Sequence, residues 1–436
     1  RLAAGAPFGA VADRDAVARG IAPHSRGWPA GAAAAVAAAA ATSPTTLLPH
    51  ACCSLRVDNR ASAPSYVFKV DASPARDALV ASTSDGLLKA YALSAAAAVH
   101  VVDLAGHEGT IADVAFTADA AVHSVARDGT VRGWDLRSRT QAECFSTRHE
   151  LCSFAMRDNT LVAGGQGEVF FWDRRMPAAP VATLADTHME DVTQVKIHPS
   201  WHVFSASVDG LVAVHNMSRG IADEDENFAA ALNLDTSVEE VGLYGGSGER
   251  LWVRTGTETL HLWEWQVALR SDDEGGHGAF AEWTAAREAA AAAAAAGGGV
   301  ASLFEDVNYL AGCHYDAASG QLMLLAGNDM CVGMFPLQEL PASSAGGPLS
   351  GATLLPPAMA LSGGHTEVVR SVCVYGGDTQ AAFCATGGED GRVALWTLGA
   401  GLPRMEPAGS SEAWQPAAAA GQACGGGGGR GGHKAH

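Results

Sequence analysis

GGEDGRVALW, residues 387–396, ends a polar turn at Gly391 and closes five residues later on a large ring, Trp396. SVARDGTVRGW (124–134) and SASVDGLVAVH (205–215) have the same shape, an acid–glycine pair followed at the same distance by Trp134 and His215. The turn position recurs at Gly86, Gly129, Gly167, Gly210, Glu258, Met330 and Gly391, and the fifth residue after each is Tyr91, Trp134, Trp172, His215, Trp263, Phe335 or Trp396. Successive turns lie 43, 38, 43, 48, 72 and 61 residues apart, so a unit of roughly 40–45 residues repeats seven times.

The residues two and four places after each turn are Leu88/Ala90, Val131/Gly133, Val169/Phe171, Val212/Val214, Leu260/Leu262, Val332/Met334 and Val393/Leu395. That alternation marks a β-strand with one apolar face, and the ring at the fifth place falls on the other. Both faces are therefore buried, as in sheets stacked face to face around an axis. The acid–glycine pair suits a two-residue hairpin loop with positive φ angles. A histidine stands upstream: Gly106-His107 precedes Trp134 by 27 residues, His188 precedes His215 by 27, and Gly364-His365 precedes Trp396 by 31, with GGDTQAA accounting for the excess. Val114, Val195 and Val372 follow these histidines by seven. This spacing is that of WD repeats, and seven units predict an all-β fold, a single seven-bladed WD-repeat β-propeller. Trp-Asp itself occurs only at Trp134-Asp135 and Trp172-Asp173, so the shared spacing carries the assignment.

Residues 50–400 are assigned to the propeller. Residues 1–49, rich in Ala, Gly and Pro, hold too little apolar bulk to order themselves and read as a disordered or targeting-like extension. Arg14, Arg19 and Arg26 suit a transit peptide, Asp13 and Asp15 do not, and the opening on Arg1 points to a start further upstream. CCSLRV (52–57) is expected to close the ring beside the last blade. Insertions are expected at about 270–300, an acidic loop and a short alanine helix ended by glycines, and at 336–363, a Pro/Gly-rich stretch. Residues 401–436 read as a flexible Gly-rich tail.

The chain has 47 acidic and 28 basic side chains, a net charge of −19, which repels nucleic acid and favours basic protein partners. Its nine cysteines include no CxxC pair, which argues against a zinc ribbon or disulfide scaffold and for a reducing compartment. The alanine run at 31–41 is too weakly hydrophobic to span a bilayer, so a soluble protein with no membrane contact is expected. His107, Ser124, Asp128 and Trp134 in the second unit match His365, Thr386, Asp390 and Trp396 in the seventh, and His188, Ser205 and Asp209 in the fourth. A set that recurs with the repeat reads as a buried hydrogen-bond chain, not as a catalytic triad in a cleft with an oxyanion hole. The sixteen histidines form no HxH or HExxH, GGSG (245–248) lacks the Lys-Ser/Thr of a phosphate loop, and no metal or cofactor is expected. DEDE (223–226) reads as a solvated loop or a grip for basic partners, and the single RGG of the tail supplies little counterion release.

Trp134-Asp135-Leu136-Arg137 and Trp172-Asp173-Arg174-Arg175 both fit W-D-x-R. They resemble the box by which some WD-repeat proteins dock on the cullin-4 ubiquitin ligase adaptor, so Asp135, Arg137, Asp173 and Arg175 are candidate partner-binding residues; the alternative is an arginine that caps a surface turn. The segments 188–217, 363–396, SYVFKVDAS (65–73), LNLDTSVEEVGLYG (232–245) and DVNYLAGCHYD (306–316) resemble the WD repeat-containing protein 89 family in the same order, from about Cys52 to Leu398. The resemblance implies a non-enzymatic propeller that holds other proteins, with no catalytic set to carry over. Together with the charge it points to a monomeric scaffold of a nuclear or cytoplasmic assembly, with ribosome biogenesis as the suggested process. A substrate receptor of a cullin-4 RING ligase is the alternative.

Overall fold

A computed structural model describes residues 45–47 and 65–398, apart from 74, 76, 94–97, 118–120, 222–223, 270–278, 299, 318, 330, 342–348 and 376–382. Seven antiparallel sheets follow one another along the chain: blade 1 at 67–104, blade 2 at 111–146, blade 3 at 151–184, blade 4 at 192–233, blade 5 at 238–283, blade 6 at 309–362 and blade 7 at 369–397. Blades 1 to 5 have four strands each, paired in sequence order, and blade 7 has three among the described residues. The first strands of neighbouring blades lie against one another and ring the axis. This is the seven-bladed propeller that the repeat spacing predicts.

The apolar core divides into seven clusters, one at each seam between consecutive blades. The alternation in the sequence explains the division. Val131 packs toward blade 3 and Trp134, on the opposite face of the same strand, toward blade 1. Val332 and Met334 face blade 7 while Phe335 faces blade 5. The ring closes where Val67, Val70 and Leu79 of blade 1 meet Ala385 and Val393 of blade 7. Each sheet is thus roofed on both sides, and every ring at the fifth place is at least 93% buried.

The turn before this strand differs from the two-residue loop expected. In blade 2, Ala126 pairs with Thr130, which leaves three residues in the loop, and the Gly129 N–H closes it on the Ala126 carbonyl at 3.1 Å. Asp128 stays at negative φ and only the final residue takes φ +77°. The same final position is at positive φ in Gly86, Gly167, Gly210, Glu258 and Gly391, while Met330 lies outside the described residues. A three-residue hairpin loop needs one left-handed residue where a two-residue loop of the expected kind needs two. That frees the acidic residue for side-chain work.

Two stretches depart from their expected places. Thr45–Leu47, within the segment assigned to the N-terminal extension, forms a strand that pairs in parallel with Met359–Leu361 of blade 6; the rest of 1–49, residues 52–57 and the tail 401–436 lie outside the described residues. The Pro/Gly-rich stretch 336–363 is not simply a connection. Strand Cys331–Pro341 pairs Met359–Ser362 along its first half and Leu349–Leu354 along its second. Pro336 sits between these two pairings, where its missing N–H costs no ladder bond. The insertion at 270–300 carries the helix Ala286–Gly297, buried through Ala286, Ala290, Ala293 and Ala294 and ended at Gly298 with φ +70°.

Candidate protein-interaction surfaces

The propeller has two faces, one carrying the turns between second and third strands and the loops between blades, the other carrying the remaining turns. On the first, the structure brings the three recurring polar sets together. In blade 2 the His107 Nδ1 lies 3.0 Å from Asp128 Oδ2 and its Nε2 2.8 Å from Ser124 Oγ, while Trp134 Nε1–H donates to the same oxygen at 2.8 Å. A carboxylate only accepts, so Nδ1 carries the proton and Ser124 O–H donates to Nε2. The proton directions thus run one way, from Trp134 through Ser124 and His107 to Asp128. Asp128 also accepts the Glu108 N–H at 2.9 Å and the Thr130 N–H at 3.0 Å, which ties the loop entering the blade to the turn leaving the second strand.

Blade 7 repeats the arrangement with His365 Nδ1 3.1 Å from Asp390, Nε2 2.7 Å from Thr386 Oγ1, and Trp396 Nε1–H donating to that hydroxyl at 2.9 Å. Blade 4 has His188 at 3.1 Å from Asp209 and 2.8 Å from Ser205, and its ring position is the buried His215, edge-on to Phe228 at 5.8 Å. Electrostatics fits the chain of donors. Burial pushes the His107 imidazole below its ordinary value and keeps it neutral. Burial alone would raise Asp128, but the hydrogen bonds from Thr130, Glu108 and His107 outweigh it and hold the carboxyl below its usual range; Asp209 and Asp390 are lowered in the same way. Ser124 and Ser205 are 0% exposed, and the Ser124 oxygen already holds the Trp134 proton. No substrate carbonyl can reach it, so these sets position the two ends of each blade and offer no nucleophile.

The W-D-x-R residues stand on the opposite face, in the turns after the third strands of blades 2 and 3. Asp135 Oδ1 accepts the Arg137 N–H at 2.8 Å and the Arg137 side chain is exposed. Asp173 Oδ1 accepts the Arg175 N–H at 2.9 Å and also binds its guanidinium, with Nε 2.9 Å away. Hydrogen bonds from Arg175 lower the Asp173 carboxyl to about 2. Both aspartates shape their turns, and both arginines remain on the surface.

Sequence reasoning missed a third feature, in the axial channel. Lys69 of blade 1 lies 3.6 Å from Glu240 of blade 5, which is also 3.5 Å from Arg254. Burial would raise Glu240, yet Lys69 and Arg254 outweigh it, and Glu240 in turn raises Lys69. Asp113 of blade 2 and Lys196 of blade 4 share this field. The first strand of every blade carries a charged residue, so Lys69, Asp113, Lys196 and Glu240 stand out only once the ring is closed. Among the described residues no group of His, Cys, Asp and Glu suits a metal ion, and no helix is long and apolar enough to cross a membrane.

Comparison with known proteins agrees with this architecture. The WD domain, G-beta repeat model matches residues 98–135 and 359–397, which hold the third strands of blades 2 and 7. The chain is 32% identical over 353 residues to the WD repeat-containing protein GTS1 of Arabidopsis thaliana, covering 76% of this chain and 81% of that protein. It is 25% identical over 348 residues to the WD repeat-containing protein 89 homolog of Dictyostelium discoideum, covering 78% and 85%. A propeller of this kind, closed by seven apolar seams and built on buried polar sets, is a protein-interaction scaffold, and the chain belongs to the family of WD repeat-containing proteins.

Proposed function

We propose that the protein holds basic protein partners on the face that carries the tetrad turns. The distribution of charge on that face carries the reading. Glu108, Glu190, Asp235, Asp306, Asp329 and Glu367 are exposed there, on the loops and turns of five blades. The arginines Arg127, Arg287 and Arg370 are each held by a carboxylate of the same face: Glu150 at 2.9 Å, Glu258 at 3.2 Å, and Glu389. Met189, 92% exposed, and Val208 add apolar surface beside Glu190, as protein interfaces require at their centre. A rigid ring holding acidic loops at fixed spacing suits partners rich in lysine and arginine. Ribosome biogenesis, whose proteins have that composition, is the setting we propose, in the nucleus or cytoplasm; the free thiols at Cys144, Cys152, Cys313, Cys331, Cys373 and Cys384 suit such a reducing compartment.

A second reading, a cullin-4 substrate receptor, is favoured by Arg137 and Arg175, exposed at equivalent turns of adjacent blades. Affinity purification with quantitative mass spectrometry separates the two. Glu108→Lys/Glu190→Lys/Asp235→Lys is expected to lose the Lys/Arg-rich partners that wild type recovers, and Arg137→Ala/Arg175→Ala to keep them. Recovery of a cullin adaptor by wild type and its loss in the arginine variant would replace the first reading with the second.

A further inference from the structure

On the opposite face, an open cleft of about 420 Å³ runs along the seam between blades 3 and 4. Phe171 and Val181 form the blade 3 wall; Ile197, Trp201, Met217 and Ile221 form the blade 4 wall. Val181 is 52% exposed and Met176, on the same turn of blade 3, 59%. The apolar cluster that closes this seam, Phe171 and Met217 among it, is continued outward by the half-buried Ile197, Trp201 and Ile221 and by the exposed Val181. The turn His198–Trp201 is closed by the Trp201 N–H on the His198 carbonyl at 2.9 Å, and Trp201 takes φ +64°. That is the place a glycine would hold without strain, and a bulky side chain there is an outlier. The backbone is held out of its preferred region while the indole lines the cleft, under the Arg157 guanidinium 4.8 Å from the ring centre.

The rim is cationic in a chain whose net charge is −19. Three consecutive blades carry arginines on the turn after their third strand: Arg137 and Arg139, Arg174 and Arg175, and Arg219. Arg174 is bound to Glu143 at 2.8 Å and Arg175 to Asp173, whereas Arg137, Arg139 and Arg219 are exposed and carry no ion pair among the described residues. At physiological salt the field of the distant acidic surface is screened within about 8 Å, so this arc governs what approaches the cleft. Carboxylates of the chain stand nearby at Asp158 and at Asp225 and Glu226 of the short helix that follows Ile221, which limits an occupant to a modest negative charge.

We infer that the cleft takes a short segment of a protein partner in which one bulky apolar side chain is flanked by Asp or Glu. The apolar side chain fills the space beside Trp201, and the carboxylates meet Arg175 and Arg219. A buried anchor in a pocket with charged groups at its rim is the usual energetic centre of such an interface. This surface is independent of the acidic face and would stand if that reading failed.

Panning the full chain against random twelve-residue peptides on phage tests the inference, with depletion on Trp201→Gly. Glycine suits the backbone at 201, so that variant is expected to keep its circular dichroism and cooperative melting. Enriched peptides are expected to share an aromatic or leucine residue beside acidic ones. Fluorescence anisotropy of the best peptide should show about a tenfold or greater loss of affinity with Trp201→Gly and with Arg175→Glu/Arg219→Glu, which alters exposed side chains only. No Trp201-dependent enrichment would overturn the inference. So would enrichment of Lys/Arg-rich peptides, or of neutral apolar peptides indifferent to the charge-reversed arginines.

Discussion

Ser124 holds two partners with one hydroxyl, and its removal leaves both Trp134 Nε1–H and His107 Nε2 unsatisfied in a site closed to water. Ser124→Ala is expected to cost about 2–3 kcal/mol, since an orphaned buried polar group costs about 1–3 kcal/mol and a second partner shares the loss. Urea denaturation measures it; an unchanged midpoint would deny the tetrad its structural role. The carboxyls of these sets have lowered values, so their contribution is full above the ordinary carboxylate range and is lost as pH falls below that range through the lowered values. Asp71 behaves oppositely. It accepts the Phe116 N–H of blade 2 at 2.7 Å and faces the Cys373 thiol of blade 7, and burial raises it to about 6. Its ionisation therefore costs stability that is fully retained below its unfolded value and lost as pH rises through about 6. Relative to wild type, Asp71→Asn is expected to gain up to about 3 kcal/mol as pH rises from about 4 to about 7.5, because the amide does not ionise. Thermal melting across pH 4–8 checks the sign.

The turn-and-strand element was the legible part of this sequence because all its determinants lie within ten residues. An acidic residue, a left-handed residue, two alternating apolar residues and a ring define it without reference to distant chain. Gly129 shows how tightly the turn is set: a Cβ there would meet the Thr147 and His149 carbonyls at 2.8 Å, in addition to the strain of φ +77°. Gly129→Ala is expected to cost at least about 2 kcal/mol, whereas Gly220→Ala, with nothing within 4 Å, costs only the backbone term of about 1 kcal/mol. Comparing their denaturation midpoints tests whether packing at the turn matters beyond backbone angle. What stayed hidden has no local signature. Thr45–Leu47 is three residues without a pattern, and the prolines and glycines of 336–363 resemble a loop although Pro336 falls between two strand pairings. Trp201 occupies a turn position that gives itself away only when its φ is seen.

At the scale of the whole molecule, seven seams close the ring, and Lys69 and Glu240 join blades 1 and 5 across its axis. No sequence pattern links those two residues, because the fold alone makes them neighbours. Lys69→Met and Glu240→Gln, singly and together, are expected to show a coupling of about 1 kcal/mol in a double-mutant cycle; additivity within error would remove the brace. The two faces divide the surface chemistry, with exposed carboxylates over the tetrads and an arginine arc around an apolar cleft on the reverse. Scaffolding of basic partners rests on the first of these. Carbodiimide coupling, which joins a carboxylate directly to a lysine amine, tests it when applied to the chain purified with its partners. The account predicts that partner lysines are recovered on peptides carrying Glu108, Glu190, Asp235 and Glu367. Coupling confined to Asp135, Asp158 and Asp173 on the other face would contradict it.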